Sequence, residues 1–152
     1  MNKSKEGKLI FEHNEVDVSG LMYSKKRKVL TGVNYTVAKR DIEFFDSWRE
    51  DIQEKLEKKL PGYEVGITSF SKDETKAVVV TYSDKSRGTY YYYDVENDKL
   101  TELGEISPWI NEDHMAEMKP IKYKSRDGLT IHGYLTLPKG SEGKNLPVVV
   151  NP

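Results

Sequence analysis

The chain has no cysteine among its 152 residues. That excludes a disulfide framework, a thiol nucleophile and any zinc site built on thiolates. Neither charge is in excess: 24 lysines and arginines face 25 aspartates and glutamates, with the two signs interleaved. No basic stripe results, so the electrostatic footprint of a nucleic-acid partner is missing. No apolar run approaches the roughly 20 residues that span a bilayer, and no membrane-seeking helix stands out. Neither nucleic acid nor membrane is therefore an expected partner. Met1-Asn2-Lys3-Ser4-Lys5 is positively charged but has no apolar run behind it, unlike a secretory signal. Any such signal would lie upstream of a cut piece, so cytoplasm and periplasm both stay open.

Aromatic residues, by contrast, are plentiful: ten tyrosines, four phenylalanines and two tryptophans. They argue for a packed, globular chain rather than a disordered one. Short β-rich runs dominate the first two thirds. They cover Val18 to Tyr23, Lys28 to Thr36, Asp41 to Asp46, Val65 to Phe70, Ala77 to Tyr82 and Thr89 to Val95. Clusters of Ser, Asp, Gly and Lys separate them, which is the punctuation of antiparallel strands. Leu9-Ile10-Phe11 is a further short apolar run. Two landmarks recur after 47 or 48 residues. Tyr23-Ser24-Lys25 returns as Phe70-Ser71-Lys72, and Phe44-Phe45-Asp46 returns as Tyr92-Tyr93-Asp94. That period falls in the range of four-stranded propeller blades.

One helix is predicted between the repeats, over about 47–60. Ser47 and Glu50 fit a capping box. Trp48, Ile52, Leu56 and Leu60 form one apolar stripe, and Pro61-Gly62 stops the helix. Such a stripe needs a neighbour to pack on; a lid role would be a more specific use of the same surface. After Leu103-Gly104 the texture changes. Ser107 to Met118 reads as a connector with a helical turn or two. Ile121 to Tyr123, a turn at Arg126-Asp127-Gly128, and Leu129 to Leu137 then make a hairpin. The triplet Val148-Val149-Val150 reads as a sheet-core strand buried on both faces. Its place two residues from the last points to a piece cut from a longer protein.

The chain offers no catalytic, cofactor-binding or metal-binding residues that can be named. No serine has glycine at both −2 and +2; Ser86 has Gly88 after it but Asp84 before it. The G-x-S-x-G elbow that lifts a hydrolase serine onto a strained turn is thus missing. His13 lies in a polar loop and His132 in an alternating strand. His114 has Glu112, Asp113 and Glu117 nearby, a pattern more often a solvated face than a metal site. Gly140 to Lys144 fails the phosphate-loop pattern, with Pro138 and Asn145 at positions that must be Gly and Ser or Thr. Tyr90 to Tyr93 alternate across a strand, two to each face, and suit packing better than a ligand platform.

The stretch from Met118 to Pro152 carries a resemblance. Met118-Lys119-Pro120-Ile121, Ser125-Arg126-Asp127-Gly128-Leu129-Thr130-Ile131-His132-Gly133-Tyr134-Leu135, Pro138 and Leu146-Pro147-Val148-Val149-Val150 resemble the opening of the peptidase domain in the prolyl oligopeptidase family. Ser107-Pro108-Trp109-Ile110-Asn111-Glu112 is similar to the connector of bacterial acylaminoacyl-peptidase-like and dipeptidyl-peptidase-like members. The resemblance implies a mainly-β chain: two propeller-blade-like meanders with an inserted helix over 1–106, a connector over 107–118, and the first strands of an α/β-hydrolase domain over 119–152. It further implies a parent serine peptidase acting on oligopeptides, whose serine, aspartate and histidine all lie beyond this chain. The partners implied are the oligopeptide substrate and the remainder of the hydrolase domain, with no cofactor. Open sheet edges would also favour self-association. A second reading is a self-contained β-rich binding module with an aromatic ligand surface formed by Tyr90 to Tyr93 and the helix.

Overall fold

The computed structural model describes residues 7–151. The chain divides into two compact units, Met1–Glu54 and Lys55–Pro152. Among the described residues the fold is mainly β, with three antiparallel sheets and one α-helix.

Strands β1 (Val18–Ser24), β2 (Val29–Thr36) and β3 (Arg40–Phe44) form a meander in that spatial order. Ser24 builds its first turn: the hydroxyl accepts from the Arg27 N–H at 3.0 Å, and the carbonyl accepts from the Lys28 N–H at 2.8 Å. Lys28 closes the turn at φ 57°, a left-handed conformation that a Cβ makes costly. Val33 and Thr31 are buried on this sheet. The early apolar run forms no strand; Phe11 reaches the sheet alone, its ring 5.7 Å from Tyr35 and 6.4 Å from Phe45, while Leu9 and Ile10 stay exposed.

The helix, α1, spans Ser47–Lys59. Its cap is Asp46, one residue before the predicted Ser47. The Asp46 carboxylate accepts from the Arg49 N–H at 3.0 Å, and its carbonyl accepts from Arg49 and Glu50. A carboxylate is a stronger acceptor than a hydroxyl, and it suits the positive end of the helix dipole. Arg27 holds it there through two bonds of 2.5 and 2.9 Å, with its guanidinium 4.5 Å above the Trp48 ring. Ile52 and Leu56 are buried as the stripe predicts, and Trp48 and Leu60 half-buried. The buried face also takes in Arg49 and Gln53, which the apolar pattern omits. Arg49 donates to Gln53 Oε1 at 3.2 and 3.1 Å and lies 5.5 Å over the Phe44 ring.

A second meander follows, β4 (Glu64–Phe70), β5 (Lys76–Tyr82), β6 (Thr89–Asp94) and β7 (Lys99–Glu105), again in chain order. Val65, Ala77, Val79 and Tyr93 form its core, with Val79 and Tyr93 fully enclosed. The pattern reading omits β7, because its only large apolar side chains are Leu100 and Leu103 and it alternates poorly. Pairing with β6 makes it a strand: the ladder runs from Asp94↔Lys99 to Thr89↔Glu105 and skips Leu103. That skipped residue is a bulge; Gly104 takes φ 154° there, and the Leu103 side chain is left 60% exposed.

Strands β8 (Met118–Lys124) and β9 (Thr130–Thr136) form the predicted hairpin. At its tip Gly128 adopts φ 85°, and Ser125 donates to the Asp127 carboxylate. The register puts Ile121, Tyr123, Ile131 and Leu135 on one face, opposite Lys122, Lys124, Thr130 and His132. Yet no side chain from 108 to 151 is buried. The triplet Val148 to Val150 departs from expectation most: it forms no strand and is 82, 94 and 80% exposed. A strand exists only through a hydrogen-bonded neighbour, and no described strand pairs with it.

Candidate functional site

The candidate residues disperse rather than converge. His13 stacks beside Tyr35, with ring centroids 4.6 Å apart, and its Nδ1 accepts from the Glu15 N–H at 3.2 Å. His132 lies on the hairpin opposite Lys122. His114 ends a one-turn 3-10 helix, Glu112–His114. Of the carboxylates beside it, Glu112 accepts from the Tyr63 hydroxyl at 2.8 Å, while the Asp113 backbone N–H donates to Asn111 Oδ1 at 2.9 Å. Among the described residues no three His, Asp or Glu side chains are grouped to hold a metal ion. Nor is any described helix long and apolar enough to cross a membrane.

The tyrosine run is largely built into the sheet. Tyr93 is enclosed, Tyr91 and Tyr92 are half-buried, and Tyr90 alone is exposed, at 42%. The Tyr93 hydroxyl donates to Asp98 Oδ1 at 2.6 Å, and Asp98 Oδ2 pairs with Lys59 Nζ at 3.1 Å. Burial pushes the Tyr93 hydroxyl far above its ordinary pKa, and the bond to Asp98 adds to this. The same bond, with Lys59, holds Asp98 below the usual carboxylate range. This is a protonated donor on an ionised acceptor: a lock on the β6–β7 turn rather than a proton-transfer pair.

Two clefts border the connector. One cleft of about 470 Å³ is lined by Ser86, Arg87, Glu105, Trp109, Asn111 and Asp113 among others. Its frame is set by backbone geometry. Gly88 has φ 97°, and a Cβ there would lie 1.5 Å from the Thr81 carbonyl oxygen, so only glycine fits. The Ile106 N–H donates to the Gly88 carbonyl at 2.9 Å, and the Ile110 N–H to that of Ser107 at 3.0 Å. Tyr63 anchors Glu112 on one side, and that bond, with some burial and the charges of Glu112 and Glu105, raises the Tyr63 hydroxyl above its ordinary pKa. The Trp109 indole stands 77% exposed at this cleft. A second cleft, of about 380 Å³, lies between the connector and the hairpin, with Lys85, Glu117, Lys119, Leu135 and Lys139 in its lining. Lys139 donates to the Asp113 carbonyl, and the Met118 N–H donates to Asp84 Oδ2 at 2.7 Å, tying the hairpin's first strand to the β5–β6 loop.

Sequence reasoning places Trp109 and Asp113 in the connector but does not mark Arg87 or Glu105. Arg87 lies in the β5–β6 loop and Glu105 ends β7, the strand that the pattern omits, and only the fold of the second meander brings them to the same cleft.

No protein-family model matches the chain. It is 27% identical over 138 residues to the dipeptidyl aminopeptidase BIII of Pseudoxanthomonas mexicana. The match covers 90% of this chain but 20% of the relative, so the chain spans about a fifth of the length of the curated protein it matches. This distant similarity ties the chain to a peptidase-related origin.

Proposed function

We propose that the chain belongs to a serine peptidase of the prolyl oligopeptidase family that cleaves oligopeptides, and that it supplies non-catalytic parts. In this reading residues 1–106 are two propeller blades that restrict access to the active site. Residues 107–118 are the connector, and 119–152 open the hydrolase domain. The carrying observation is the motif run from Met118 to Pro152, with a similarity to a dipeptidyl aminopeptidase that extends over nine tenths of the chain. The hairpin supports it physically. Its face of Ile121, Tyr123, Ile131 and Leu135 is patterned for burial, yet none of the four is buried. Covering each large side chain would contribute roughly 1.5–3 kcal/mol, so this face fits a surface built to receive the rest of a hydrolase sheet. The open ladder edges fit self-association of the chain when alone.

The test is the mass and reactivity of the native protein. An antibody to this chain should detect a species several-fold heavier than 17.5 kDa that a fluorophosphonate probe labels. A native species of that lower mass, unlabelled, sinks the reading. The alternative, a binding module using Tyr90 to Tyr93 as its aromatic surface, gains no support from a run in which Tyr90 alone is exposed.

A further inference from the structure

The cleft at the connector collects charged side chains and an exposed indole. Three of its charged side chains have no hydrogen bond or ion pair among the described residues: the Arg87 guanidinium, the Glu105 carboxylate and the Asp113 carboxylate. The Trp109 indole beside them is 77% exposed and likewise unpaired. Some groups of these kinds are engaged: Arg27 is held by Asp46 and stacked on Trp48, Asp98 is held by Tyr93 and Lys59, and Glu112, which lines the same cleft, accepts from Tyr63. Arg87, Glu105, Trp109 and Asp113 are mounted on a fixed frame, because the Gly88 close approach, the Ile106 bond and the Asn111 cap position the segments that carry them.

We infer that this cleft binds short peptides with free ends. A small zwitterion is the ligand that engages one free cation and two free carboxylates at once. Its terminal carboxylate pairs with Arg87, whose planar fork suits carboxylate geometry. Its terminal ammonium lies toward Glu105 or Asp113. The exposed indole offers a flat apolar face for a side chain of the peptide, as aromatic residues do at recognition sites. The volume of about 470 Å³ lies within the range of small-ligand sites. The ligand class rests on the peptidase reading above. The binding itself does not require catalysis, so the two can fail separately.

The test is calorimetric titration of the 152-residue chain with the tripeptide Ala-Phe-Ala, against its N-acetylated and C-amidated forms. Saturable binding of the free tripeptide, weakened about tenfold by blocking either end, is the expected result, since losing a charged hydrogen bond costs about that much. Trp109→Ala should weaken binding about tenfold as well. Arg87→Ala should abolish the preference for a free C-terminus while leaving that for a free N-terminus. Both residues are exposed, so both variants should keep the parent circular dichroism and melting temperature. No saturable binding to the chain overturns the inference, and so does affinity unchanged in both variants. Fluorophosphonate labelling of the native protein reports on the peptidase reading independently.

Discussion

Two aspartates 48 residues apart begin alike and end differently. Asp46 follows the third strand of the first meander and Asp94 ends that of the second, and each accepts with Oδ1 from the N–H three residues on, Arg49 and Asn97, both at 3.0 Å. The two serines of the other landmark also match: Ser24 Oγ accepts from Arg27 and Ser71 Oγ from Lys76. Past Asp46 the chain continues as α1; past Asp94 it turns and returns as β7. The residues that follow decide this. Asp46 precedes the apolar stripe Trp48, Ile52, Leu56, whose helical spacing supplies a face to bury. Asp94 precedes Asn97 and Asp98, of which Asp98 takes φ 50° and breaks any helix before its second turn. The same capture of a backbone amide thus starts either element, and the following side chains choose.

The largest test of this comparison lies one residue earlier. Tyr93 is fully enclosed while its counterpart Phe45 is 36% exposed. Tyr93→Ala should destabilise the chain by about 3–5 kcal/mol and Phe45→Ala by about 1–2 kcal/mol, read by urea denaturation. Equal losses would mean that the two sheets bear load alike. Next, Leu56→Ala should cost about 2–5 kcal/mol, since Leu56 is wholly buried; a smaller loss would show that the helix is dispensable to the core.

The caps should differ less. Asp46→Ala removes both the helix cap and the anchor of Arg27, for about 2 kcal/mol; Asp94→Ala should lower the melting temperature by less. The bond to Arg27, foremost, holds the Asp46 carboxyl below the usual carboxylate range. Its folded pKa is thus below the unfolded value of about 3.9, so the stability it adds is whole above that pH and lost as pH falls through the depressed folded value. The stability gap between the native chain and Asp46→Asn should therefore narrow below about pH 4; a pH-independent gap would argue that Asp46 acts without its charge. Smallest of all, Lys28→Gly should change stability by less than about 1 kcal/mol and in the favourable direction, because Lys28 sits exposed at φ 57°. A loss would mean that its side chain packs.

Much of the local architecture was legible in the residues. The stripe gave α1 to within a residue at its C-terminal end, alternation gave six of the seven meander strands, and Arg126-Asp127-Gly128 gave the hairpin tip. β7 was not legible, because an edge strand with two leucines draws its order from β6 rather than from its own pattern. The cap at Asp46 was misplaced by one, since Arg27, 19 residues away, settles which acceptor is held. Val148 to Val150 show the converse: a strong strand pattern without a neighbour remains unpaired.

The sequence by itself determined the period of the repeat, the helix between its copies and the polarity of the hairpin faces, because each depends on side chains a few residues apart. Tertiary structure alone decided which tyrosine of four is enclosed and which arginine is paired and which is free. It also decided that Arg87, Glu105 and Trp109 share one cleft. Those outcomes depend on groups brought together by ladder register and turn geometry, over separations that no local pattern records.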